Sequence, residues 1–114
     1  MKRYIALDLG TTTLAGRLLS PSGEVLVEKQ CINPQRGLGI DMLLRLQHSH
    51  HGEGERLQSL LIEGLRILIA EILNAAGYKP DDINYVVAAG NPGMSCLLRN
   101  LPVGPLLFPP HKPP

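Results

Sequence analysis

Tryptophan is absent from the 114 residues, phenylalanine occurs once and tyrosine three times, so aromatics make up 4% of the chain. Any core must therefore be built from aliphatic side chains. Cysteine is as sparse: Cys31 and Cys96 stand far apart with no cluster around either. That spacing excludes a disulfide scaffold and an iron–sulfur cluster, and with no signal-peptide pattern it fits two separate thiols in a reducing, cytoplasmic compartment. An excess of one charge is missing too. Eleven basic and ten acidic residues leave +1, a balance that points neither to nucleic acid nor to a membrane surface as partner. No apolar run reaches the roughly 20 residues of a membrane span; even Leu57 to Ala76 carries Gln58, Glu63, Arg66 and Glu71. A chain of this length holds one adequate core and not two.

What the chain does have is a compact device near its start. Tyr4 to Leu9 is a short apolar run broken only by Asp8, Gly10 follows, then three consecutive threonines, and Leu14 to Leu19 resumes as a second apolar run. The pattern predicts a strand buried on both faces, a tight glycine turn and an antiparallel strand. A glycine here lets the backbone approach a ligand and turn successive N–H groups into one concavity suited to phosphate. Hydroxyls of Thr11, Thr12 and Thr13 supply further donors. Asp8, at the strand end, offers a hard carboxylate for Mg²⁺, directly or through water, because Mg²⁺ in nucleotide sites keeps several waters and takes one or two carboxylates. The competing account is a hairpin whose Asp and Thr satisfy turn backbone, and the residues of the turn leave the two open.

Further along, Ser20-Pro21-Ser22-Gly23 reads as a hairpin connector and Glu24 to Cys31 as a third strand with one exposed face. Asn33-Pro34-Gln35-Arg36-Gly37 ends it. Gly39 to Gln47 reads as a short helix with Asp41 in its first turn and Arg45 near its end, both well placed for the helix dipole. His48, His50 and His51 lie in a Gly/Glu loop without fixed neighbours, a solvated loop rather than a metal centre. Glu55 to Ala76 is the main helix: Leu57, Leu60, Leu61, Gly64, Leu65, Leu68, Ile69, Ile72, Leu73 and Ala76 fall on one face. Gly77 closes it and Pro80 prevents a restart. Asp81 and Asp82 serve a turn. Ile83 to Ala89 has the continuous apolar character of a strand covered on both faces, returning parallel to a strand of the meander. Gly90-Asn91-Pro92 opens the last helix, Asn91 as cap and Pro92 in the first turn. Such a turn at the carboxyl end of a strand is also where α/β folds bind ligands, which makes Gly90 and Asn91 a candidate second wall facing Asp8 and Thr11. Cys96 reads as a buried small hydrophobe. From Leu101 the chain turns proline-rich, and 101–114 is expected to be an extended tail or truncated linker that adds no core.

Asp8-Leu9-Gly10-Thr11-Thr12-Thr13, followed by a strand, resembles the first phosphate motif of the actin, heat-shock ATPase and sugar-kinase superfamily (ASKHA). Asn33-Pro34-Gln35, then Gly39-Ile40-Asp41 with Arg45, then Gly90-Asn91 with Met94, together with the run from Leu106 to Pro110, resemble the ATPase region of reductive activators of corrinoid proteins (RACo-like). The Gly90-Asn91 piece departs from the family after Met94, where Ser95-Cys96 stands in place of its usual histidine. The resemblance implies an α/β fold, the ribonuclease H-like (actin-like ATPase) β-β-β-α-β-α half-domain over residues 1–100, with a mixed sheet packed by a long helix. It also implies ATP and Mg²⁺ as cofactors of the parent protein, with Asp8 as the catalytic and metal residue. Gly10 to Thr13, Gly90 and Asn91 would hold phosphate and nucleotide, with Asn33, Gln35 and Asp41 beside the cleft. For Asn33, Gln35 and Asp41 capping and loop hydrogen bonding serve as well.

Superfamily ATPases hold nucleotide between two halves, and neither the second half nor an iron–sulfur domain can be found in these residues. The expectation is a shortened piece of a longer ATPase, inactive alone, whose partners are nucleotide, the missing half and a corrinoid protein. Two alternatives stand beside it. One is an assembly module without turnover, whose exposed strand edges favour a homodimer; the other is a lobe of a sugar-type kinase, which shares the first motif.

Overall fold

A computed structural model describes residues 2–107. The aliphatic alternation of the first forty residues produces a meander: β1 (Tyr4–Leu9), β2 (Thr13–Leu19) and β3 (Val25–Ile32) pair antiparallel in sequence. A final strand, β4 (Tyr85–Gly90), returns parallel to β1, giving a four-stranded mixed sheet in the order β3-β2-β1-β4. Between β3 and β4 lie a 3₁₀ turn (Pro34–Leu38), α1 (Met42–His48), a distorted turn at Ser49–Glu53 and the long α2 (Gly54–Ala76). After β4 come α3 (Pro92–Arg99) and a single turn, α4 (Gly104–Leu107).

Period two decides the sheet's faces. Ile5, Leu7, Leu9, Leu14 and Leu18 are buried, and α2 lays Leu57, Leu61, Leu65, Leu68 and Ile72 against them. Gly16 is the close-approach point: a Cβ there would stand 2.7 Å from Ile72. The alternate residues Tyr4, Ala6, Asp8, Thr13, Ala15 and Arg17 occupy the other, uncovered face, where Tyr4 stacks on Tyr85 and Arg17 pairs with Glu28 opposite it at 3.3 Å. Gly77 ends α2 in the left-handed conformation, φ 74°, and its N–H bonds back to Leu73 and Asn74. Asp82 accepts from the Lys79 N–H in the turn that follows.

Four expectations differ from what folds. β1 buries one face and not two, because buried Ile5, Leu7 and Leu9 alternate with half-buried Tyr4 and Ala6 and exposed Asp8. The first helix begins at Met42, because the Asp41 carboxylate accepts the Leu44 N–H at 2.9 Å and so caps the helix instead of lying within it. Residues of β4 are exposed along its whole length, with Tyr85, Val86 and Val87 at 55%, 52% and 62%. The strand sits at the sheet's edge while α2 lies over β2 and β3, so its apolar run lacks the two-sided cover that such a run suits. Finally, the start of the proline-rich segment does add core: Val103 is 2% exposed, and Leu101, Leu106 and Leu107 pack beside it. The rest of that segment, 108–114, lies outside the described residues.

Candidate functional site

The parallel pairing of β1 with β4 places Leu9 opposite Gly90. The carboxyl ends of the two strands are therefore neighbours, and the turn after β1 lies beside the turn after β4. This is the position where a parallel pair in an α/β fold leaves room for a ligand.

The first turn is tightly made. The Gly10 N–H donates to the Thr13 carbonyl at 3.0 Å. A Cβ on Gly10 would collide with that same carbonyl oxygen, so the position requires glycine for close approach. Asn33 braces the turn twice. Its backbone N–H donates to the Thr12 carbonyl at 2.8 Å, and its side-chain Nδ2 donates to the Gly10 carbonyl at 3.0 Å. Asn33 is fully buried, and its Oδ1 accepts the Gln35 N–H at 3.0 Å. Thr12, Thr13 and Asp8 are exposed and Thr11 half-buried. Asp8 stands opposite Ala15, diagonal to Thr13 on the uncovered face, where it shares a depression of about 120 Å³ with Ala6, Ala15 and Arg17.

The second turn is a helix start. Asn91 Oδ1 accepts the Met94 N–H at 2.8 Å and Pro92 occupies the first turn of α3. Met94 joins the two turns, because its buried sulfur lies 4.0 Å from Asn33 Nδ2. Asp8, Gly10 to Thr13, Asn33, Gly90 and Asn91 thus form one neighbourhood. Gln35 and Asp41 have structural partners of their own. Gln35 is fully buried and donates to the Leu57 carbonyl of α2 at 2.9 Å, while Asp41 caps α1.

Two arginines beside this neighbourhood have surroundings that the sequence reading did not assign. Arg17 shares Asp8's face, a placement that the two-residue period of β2 would have disclosed. Arg45 is 0% exposed, donates Nε to the Gly39 carbonyl at 2.7 Å and places Nη1 4.0 Å from Met94 Sδ, while Nη2 has no partner. Nothing in the local sequence announces a buried cation, since a charged residue in the last turn of a short helix ordinarily faces solvent. Burial pushes the guanidinium's pKa down, and Asp41 pulls it back up. Burial also raises the thiols of Cys96 and Cys31. Among the described residues no group of three or more His, Cys, Asp or Glu side chains is arranged to hold a metal ion, and no helix is long and apolar enough to cross a membrane.

These features define a class, a small mixed α/β domain in which a meander and one parallel strand set two capped turns side by side. The family model described as RACo middle region matches residues 4–114, and the chain belongs to that family. Among solved structures it is similar to a "Reductive activator for corrinoid,iron-sulfur protein", with a TM-score of 0.93 and 27% identity over 98% of this chain. The chain spans 18% of the length of that protein. No curated protein matches it.

Proposed function

We propose that this domain is the phosphate-binding portion of an ASKHA-type ATPase, a ribonuclease H-like half that serves the reductive activation of a corrinoid protein. The observation that carries the reading is the braced turn Gly10 to Thr13. Thr12 and Thr13 are exposed and Thr11 half-buried at the carboxyl end of a strand, and the turn's backbone is held by Asn33 through the Gly10 and Thr12 carbonyls. Hydroxyl donors on a braced turn of this kind suit a terminal phosphate, whose transfer depends mainly on positioning and charge neutralisation. The similarity to a corrinoid iron–sulfur protein activator supplies the biological direction.

Mg²⁺ fits the residues present. Asp8 is one exposed carboxylate beside the threonines, and Mg²⁺ with nucleotide needs only one or two carboxylates because water and phosphate complete its shell. The ion would neutralise phosphate charge. Asp8 would hold it, directly or through water, Thr11 to Thr13 would donate to phosphate oxygens, and Asn91 would wall the far side. A lone half-site of this kind has low nucleotide affinity and no turnover until the remainder of an ATPase encloses it. A second reading, an assembly module, is favoured by the exposed apolar residues of β4.

The test is amide NMR of the 114-residue chain titrated with Mg²⁺-ATP and Mg²⁺-ADP beside the Asp8→Ala variant. Shifts concentrated at residues 8–13 and 90–91, and weakened in the variant, are expected at millimolar nucleotide. No shift at those residues would sink the phosphate reading and leave the assembly module.

A further inference from the structure

Arg45 is a fixed cation in the wrong place for ordinary stability. It is fully buried, its three guanidinium nitrogens find one carbonyl and one thioether, and among the described residues no carboxylate makes an ion pair with it. A thioether is a weak acceptor. Burying an unpaired charge is costly, and replacing such a group by a well-packed apolar side chain is often neutral or stabilising. The nearest balancing charge, Asp41, is exposed and screened by solvent, so the interior around Met94 keeps a net positive charge.

The location of that charge matters. Met94 Sδ lies 4.0 Å from both Arg45 Nη1 and Asn33 Nδ2, and the same Nδ2 holds the Gly10 carbonyl at 3.0 Å. One sulfur atom therefore separates the guanidinium from the amide that shapes the turn. The path between them runs through buried side chains, where a charge is screened far less than at a surface. α1 and α3 are locked together at this point, since a Cβ on Gly93 would lie 2.6 Å from Met42 Sδ.

We propose that Arg45 is a positioning residue for the Gly10 to Thr13 turn. It provides a buried positive charge behind the turn that raises the affinity for polyanionic phosphate ligands in proportion to their charge, without touching them. The proposal rests on the phosphate reading above. A fixed unit charge about 10 Å from a ligand, at an effective dielectric of about 20, changes affinity by roughly fifteenfold per unit of ligand charge before screening by salt reduces it.

The experiment compares the chain with Arg45→Met and Arg45→Lys, binding inorganic phosphate, pyrophosphate and tripolyphosphate, each with Mg²⁺, followed by amide shifts of residues 10–13. Urea melts of all three proteins run alongside. Arg45→Met, which fills the space and removes the charge, is expected to remain folded and to lose affinity in a graded way, least for phosphate and most for tripolyphosphate. Arg45→Lys is expected to keep the grading even if the lost Gly39 bond weakens binding of all three ligands. Equal losses for every ligand in Arg45→Met would make Arg45 a structural residue only and overturn the proposal. If Arg45→Met does not fold, loss of the grading in a folded Arg45→Lys overturns it and retention supports it. Should the unsubstituted chain bind none of the three anions, the phosphate reading fails first and the proposal with it.

Discussion

Gly10 shows how one residue can carry both the fold and the site. Its φ is not in the left-handed region; what excludes a larger residue is the Thr13 carbonyl, which occupies the space a Cβ would need. Gly10→Ala must push that carbonyl away, weakening the Gly10 N–H bond and displacing the carbonyl that Asn33 holds. Overpacking against backbone of this kind costs about 1–3 kcal/mol. Gly37 provides the internal control, since its Cβ would meet nothing within 4 Å. Gly37→Ala is expected to be neutral or stabilising by up to about 1 kcal/mol through the unfolded chain. Urea denaturation of the two variants checks the contrast; equal midpoints would mean the turn can relax and is less rigid than its hydrogen bonds indicate.

At the scale of elements, α2 is held against the 3₁₀ turn that follows β3 by close approach of backbone. Gly64 faces Pro34, and a Cβ there would lie 2.8 Å from both Cδ and Cγ of the proline ring. Alanine is the better helix former by about 1 kcal/mol, but a rigid ring cannot step aside, so Gly64→Ala is expected to destabilise the chain by about 1–2 kcal/mol net. Because Pro34 follows Asn33 directly, the same change should move the amide signals of residues 10–13. Adding Pro34→Ala should restore both stability and signals, and a Gly64→Ala chain as stable as the unsubstituted one would show that the helix slides freely. Here the legibility of the sequence is uneven. The three-and-four spacing of leucines disclosed α2 to within one residue, and the apolar runs on either side of the Gly10 turn disclosed the meander, but not that Asp8 and Thr13 share an uncovered face. The Pro34 to Gly64 contact and the burial of Arg45 were beyond it, because both depend on where a helix crosses a sheet, which no local period encodes.

The whole molecule is lopsided. α2 covers one face over β2 and β3 and α3 touches β4, while β4 closes the sheet with no strand on its outer edge among the described residues and with Tyr85, Val86 and Val87 exposed. The run from Ile83 to Ala89 reads as doubly covered because seven such residues have the composition of a central strand. That reading described the strand's chemistry correctly and its surroundings wrongly, since composition registers the cover a strand is suited to and not whether the same residues supply it. An apolar edge strand without charge, proline or bulge is a template for pairing. The chain at high micromolar concentration is therefore expected to associate, with light scattering giving a mass that rises with concentration. Val87→Lys places a charge on the most exposed of these residues, where it displaces no packing. It should hold the mass at that of the 12.4 kDa monomer while shifting the urea midpoint little. If the lysine variant associates as strongly as the unsubstituted chain, another surface joins the copies. If both remain monomeric, the edge is protected by its own twist, and the assembly reading loses the observation that favours it.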